Sequence, residues 1–152
     1  LTRSRDSLKL RVEVNDDRHC QPFAGAESWK GDSVQLALRI PGQAGSWEIG
    51  FFRRGDGGNG GFVWNAPAGF DARRVTERFR LETGRDERRK RTFYEAVIPF
   101  AAVGLTEEAA GRGFRFNLLI NDNDGEMRES FIAVAPGLGD SKNTDFFPVV
   151  SF

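Results

Sequence analysis

Ile120 to Glu129 reads INDNDGEMRE, where oxygen-bearing side chains crowd a glycine in the manner of a calcium loop. An EF-hand loop takes ligands at its first, third and fifth positions, a glycine at the sixth and a bidentate glutamate at the twelfth. With Gly125 sixth, Asp124 and Asp122 fall correctly, but Ile120 and Phe131 stand first and twelfth. The stretch is therefore expected to turn the chain, since Asp-Gly between two strand-like runs is a hairpin signal. A second group, Asp16, Asp17, His19 and Cys20, carries metal-ligating types. Adjacent residues of an extended segment point opposite ways, and the chain has one histidine, so the usual zinc sets fail. His19 is expected to hold its loop by a local hydrogen bond. Acid/base hydrolysis needs two carboxylates converging in a cleft. The 22 acidic residues are scattered over strand faces and turns, and spacing singles out no pair. No catalytic residue and no metal ligand is assigned.

Tryptophan offers different chemistry, because the C–H groups of a sugar ring stack on its π face. Trp29 stands in a polar setting between Ser28 and Lys30, four residues before a strand. There it suits either a ring folded back over the core or an exposed sugar platform. Trp47 shares a face with Ile49 and Phe51, which favours the core, whereas Trp64 suits either environment. The basic run Arg85, Arg88, Arg89, Lys90 and Arg91 carries Asp86 and Glu87 within it. It reads as a solvated turn between strands, with an anionic polysaccharide as the alternative ligand.

The elements that position these residues follow a period of two. LKLRVEV puts Leu8, Leu10, Val12 and Val14 on one face, and SVQLALRI does the same with Val34, Leu36, Leu38 and Ile40. SWEIGFFRR and FVWN flank the glycine-rich GDGGNGG, expected to be a mobile hairpin tip. RRVTERFRL, TFYEAVI, FRFNLLIN, ESFIAVA and FFPVVSF complete nine strand-like runs. Pro148 places the last at a sheet edge, because it lacks a ladder donor. Only TEEAAG reads as helical. This pattern predicts an all-β fold, an antiparallel β-sandwich. The long connection from Asn15 to Asp32 is the first place to look for function.

A chain of 152 residues reads as one domain, 1–152, with a core rich in its 14 phenylalanines and three tryptophans. Twenty-two basic residues balance 22 acidic ones, so no global field steers it toward nucleic acid or an anionic membrane. No apolar run approaches the ~20 residues of a membrane helix. A single cysteine, Cys20, excludes an internal disulfide.

LKLRVEVNDD, SWKGDSVQLAL and YEAVIPFAAVGL…GFRFNLLINDNDGEMRES occur in that order, and NTDFFPVVSF closes the chain. Together they resemble the family 9 carbohydrate-binding modules, with their Trp-x-x-Asp-Ser-Val-Glu signature, Tyr-Glu-x-x-Ile-Pro strand and closing Asp-Pro-x-x-Phe-Gly strand, of which NTDFFPVVSF looks like a degenerate form. The resemblance implies a DOMON-like, jelly-roll β-sandwich without catalytic activity. It implies a secreted, periplasmic or cell-surface bacterial setting beside the catalytic domain of a glycoside hydrolase or polysaccharide lyase. The implied partners are an oligosaccharide or polysaccharide and that catalytic domain, with no nucleic acid and no membrane. No cofactor is implied beyond the structural calcium that family members carry, whose ligands do not transfer to positions here. Trp29 aligns with a sugar-stacking tryptophan, and Gln35 replaces the signature glutamate. The second stacking tryptophan falls near Ser141, so the site is expected to have one aromatic wall. The candidate ligand-binding residues are Trp29, Gln35, Asp32, Trp64, Asn121 and Arg128. The family's opening strand has no counterpart, so this chain is expected to be part of a longer one. The alternative to sugar binding is an accessory sandwich that packs on its own catalytic domain.

Overall fold

A computed structural model describes residues 1–152. Ten strands form: β1 Thr2–Arg3, β2 Ser7–Asn15, β3 Ser33–Arg39, β4 Trp47–Arg53, β5 Asn59–Asn65, β6 Arg80–Asp86, β7 Arg91–Pro99, β8 Phe114–Asp122, β9 Ser130–Ala133 and β10 Val149–Val150. One antiparallel sheet runs β1-β2-β7-β6; the other runs β10-β8-β3-β4-β5, with β9 also paired to β8. The alternation of the sequence explains how they close. Leu8, Leu10 and Val12 meet Ile98, Ala96 and Tyr94 in register across β2 and β7. On the other sheet Val34, Leu36 and Leu38 align with Ile120, Leu118 and Phe116 on one side and with Phe51, Ile49 and Trp47 on the other. These inner faces share one hydrophobic core, and the all-β sandwich expected from periodicity is the fold observed.

Trp47 is fully buried, its indole N–H donating to Val103 O at 3.0 Å and to Gln43 Oε1 at 3.1 Å. A buried indole needs such a partner. Pro148 precedes the edge strand β10, as expected, and its carbonyl accepts from Phe116 N.

Three local readings change. RRVTE does not extend a strand: helix α1, Ala72–Thr76, forms instead, with Asp71 as N-cap accepting from Arg73 N. A second helix, α2 Phe100–Val103, precedes the expected one, α3 Glu107–Arg112. The glycine run is not simply a mobile tip either. Its second half belongs to β5, where Gly60 lies against the Phe52 ring and Gly61 against Phe79, leaving no room for a Cβ.

Candidate functional site

Because the inner face of the larger sheet takes one set of alternate residues, the outer face takes the other. On β3 this set is Ser33, Gln35 and Ala37, with Gln35 directly between Gly50 of β4 and Leu119 of β8. Gln35 thus lies at the centre of a floor. Between β4 and β5 the register slips by one residue beside Glu48 and Ile49. Trp64 falls in that irregularity and, alternating with the buried Val63, lies on the outer face of the sheet. Its ring lies on Gly50, where any Cβ would collide with it, and Phe62 packs against it at 5.7 Å between ring centroids.

The long Asn15–Asp32 connection supplies one wall. It ends in a 3-10 turn, Gly25–Lys30, that carries Trp29. Gln21 is buried beneath it and donates to Ser28 O at 2.8 Å and Asp32 O at 3.0 Å. Trp64 is tied to the same turn, its indole N–H donating to Ala26 O at 2.9 Å. The opposite wall comes from the segments around β9. Arg128 lies over the Trp29 ring at 4.8 Å and over the Phe131 ring at 5.1 Å. Its Nη1 donates to Asn121 Oδ1 at 3.0 Å. Burial, with no acidic neighbour to offset it, pulls the Arg128 pKa below its ordinary value. Lys142 crosses from the 134–147 segment to Glu48, 2.6 Å away, with a left-handed backbone (φ 54°).

These residues enclose an open cleft of about 330 Å³ lined by Trp29, Gln35, Glu48, Trp64, Arg128, Gly139 and Lys142. A second hollow of about 340 Å³ adjoins it, sharing Glu48 and Lys142. Four of the six residues chosen from sequence therefore line one cleft: Trp29, Gln35, Trp64 and Arg128. The other two do not. Asn121 is buried behind it, orienting Arg128 while its amide donates to Ser33 Oγ. Asp32 is buried below the 3-10 turn and accepts from the backbone N–H groups of Cys20 and Asn123. It joins two loops. Glu48, Lys142 and Gly139 were not foreseen: Glu48 faces outward by alternation with Trp47 and Ile49, but the approach of Lys142 and Gly139 depends on the path of the 134–147 segment, which has no regular period to read.

Behind the cleft the chain gathers acidic groups. His19 Nδ1 lies 3.3 Å from Asp32 Oδ2 and its Nε2 contacts Arg53 O at 2.8 Å, so the ring does hold the loop. Burial opposes its charge, but the Asp32 carboxylate and the Arg53 carbonyl outweigh that and raise its pKa. Burial and the nearby Asp32 raise the Asp16 pKa. The 123–129 connection turns the chain between antiparallel β8 and β9, as expected, but more widely than a two-residue Asp-Gly turn. Asn123 turns inward, its N–H on Asp32 Oδ1 and its side chain near Cys20 O, and Glu129 N closes on Asp122 O. Asp124 is thereby brought to Asp16 and Asp17, their carboxylate oxygens within 4.8 Å of one another. Asp124 Oδ1 is buried with no hydrogen-bond partner. These hard oxygen donors, one of them orphaned, match calcium in type and supply three of the six to eight oxygens it takes. Held there, it would neutralise their repulsion and clamp the two loops. The basic run does form a turn, but Arg85 leaves it and reaches Asp16 at 3.3 Å.

No protein-family model matches the sequence, and no curated protein matches it. Among solved structures, a family 9 carbohydrate-binding module from Caldicellulosiruptor kristjanssonii, in complex with glucose, superposes with a TM-score of 0.66 at 16% identity, covering 96% of this chain and 70% of that one. A protein from Bacteroides uniformis to which carbohydrate binding is ascribed gives a TM-score of 0.58 at 16% identity, covering 96% of this chain and 72% of that one. The chain shares the β-sandwich fold of a family 9 carbohydrate-binding module.

Proposed function

We propose that this domain is a non-catalytic carbohydrate-binding module that takes a sugar into the cleft on the outer face of its larger sheet. One observation carries the reading: two partly buried tryptophans, Trp29 and Trp64, brought from distant segments, line the same open hollow with Gln35, Arg128, Glu48 and Lys142. Aromatic surface beside convergent polar groups is what a sugar requires, since it presents C–H faces and a rim of hydroxyls. The similarity to a glucose-bound module supports it. Trp64 is the platform in this reading, being laid on Gly50 with no cation over its ring. Gln35 and Glu48 exchange hydrogen bonds with hydroxyls. Trp29 builds the wall and cradles Arg128. The proposed setting is a secreted or cell-surface bacterial protein that degrades glycans, with the catalytic domain as partner in the same chain.

Stacking and each exchanged hydrogen bond contribute on the order of 1 kcal/mol. A net of ~4 kcal/mol corresponds to dissociation constants near millimolar. Trp64→Ala and Trp29→Ala should each abolish retention on an immobilised oligosaccharide panel while the melting temperature falls by only a few degrees. Unchanged retention in both variants would rule the cleft out. A second reading, docking on a catalytic domain without sugar, is favoured by the exposed apolar residues Ile132, Val134 and Val149 along the β9 and β10 edge. It predicts no retention by the wild-type protein and lower solubility.

A further inference from the structure

The charges around the cleft do not cancel. Glu48 is neutralised by Lys142 at 2.6 Å. Lys30, the other cation near Trp29, is paired with Glu27. Arg128 has no carboxylate within ion-pair distance, and its only protein hydrogen bond is Nη1 to the neutral amide of Asn121. A guanidinium partly withdrawn from water and left unpaired is unfavourable unless a ligand supplies the counter-charge. Its setting also fixes how an anion can approach. The Trp29 and Phe131 ring centroids lie 4.8 Å and 5.1 Å from its Cζ, and Asn121 holds one nitrogen. What remains is the in-plane edge carrying Nη2 and Nε, neither of which has a protein acceptor. Two parallel N–H donors in one plane match a carboxylate in bidentate fashion, whereas a sugar hydroxyl uses one of them.

We infer that the cleft selects a sugar bearing a carboxylate, a hexuronate, whose ring rests on Trp64 and whose carboxylate pairs with Arg128. This rests on the sugar-binding reading above and adds the ligand class. Trp29 and Phe131 then act as the jaws that orient Arg128 rather than as sugar platforms. Asn121 is a positioning residue, since it acts through Arg128.

Calorimetric titration of the wild-type domain with matched pairs tests it: glucose against glucuronate, galactose against galacturonate, mannose against mannuronate, each as monomer and short oligomer. At least one uronate should bind about tenfold more tightly than its neutral counterpart, the gain of one charge-assisted bidentate contact. That preference should shrink as ionic strength rises. Arg128→Gln should equalise the pair, and Arg128→Lys, which keeps the charge but loses the fork, should retain only part of the preference. Neutral sugars binding at least as tightly as their uronates would overturn the inference and leave sugar binding standing. No binding by any member would remove both. A preference that survives in folded Arg128→Gln, or that belongs to glucose 6-sulfate rather than to any uronate, would also overturn it.

Discussion

At the scale of single residues, the cleft depends on one glycine as much as on any side chain that lines it. Gly50 has ordinary backbone geometry, so a side chain there is excluded by the Trp64 ring and not by its torsions. Gly50→Ala should therefore displace Trp64, weaken sugar retention, and cost about 1–3 kcal/mol from overpacking. Trp64→Ala in the same chain removes the obstacle. The double variant should then be less destabilised than the sum of the two single ones, a coupling that a denaturant-based double-mutant cycle measures. Strict additivity would mean that the ring already moves freely and is no preorganised platform. The sequence shows Gly50 between Ile49 and Phe51 but gives no sign of what lies above it, because that depends on the pairing of β4 with β5 and on its register slip. An alternation rule can place Gln35 and Trp64 outward; it cannot say which residue of a neighbouring strand lies above Gly50.

The elements divide into those legible from period and those set by contacts far apart in sequence. The long strands β2, β3, β4, β7 and β8 follow directly from alternating apolar residues, and their pairing buries each apolar set in one core. The 15–32 and 123–129 segments have no such period. Their form is set by Asp32, which faces the interior and accepts backbone N–H groups from both. Asp32 stands in the Trp-x-x-Asp-Ser-Val stretch and is a ligand-binding candidate from sequence; the structure buries it as a post between the two loops. Asp32→Ala orphans two buried N–H donors and removes the anion beside His19, so a loss of about 3 kcal/mol is expected in urea unfolding. A loss under 1 kcal/mol would show that the loops are held elsewhere. Asp16, Asp17 and Asp124 bridge the same two segments. Calcium should raise the melting temperature of chelator-treated protein, and Asp124→Asn should remove most of that rise. Equal calcium responses in the two proteins would exclude this trio as ligands.

At the scale of the whole molecule, the two sheets have separate tasks. The β1-β2-β7-β6 sheet contributes no residue to the cleft; its outer face carries ion pairs such as Arg11 with Glu13 and Glu95. It buries the inner face of its partner and so holds the floor under Gln35 in place. Binding on the other sheet must then stabilise the sandwich as a unit, because a ligand held only by the folded state shifts the unfolding equilibrium by mass action. At a hundredfold excess over the dissociation constant that shift is about 2.7 kcal/mol. For a domain of this length it corresponds to a rise of roughly 5–10 °C in melting temperature. Millimolar affinity puts such an excess near 0.1 M sugar, a range in which sugars also stabilise proteins merely by exclusion from their surface. Trp64→Ala separates the two effects. Exclusion acts on the whole surface and survives the substitution, whereas linkage through the cleft does not. The wild-type rise should exceed that of Trp64→Ala by several degrees for a bound sugar and match it for sucrose. The intrinsic fluorescence of buried Trp47 follows the unfolding in both proteins. Identical rises for every sugar would leave exclusion as the whole explanation and the cleft without a ligand.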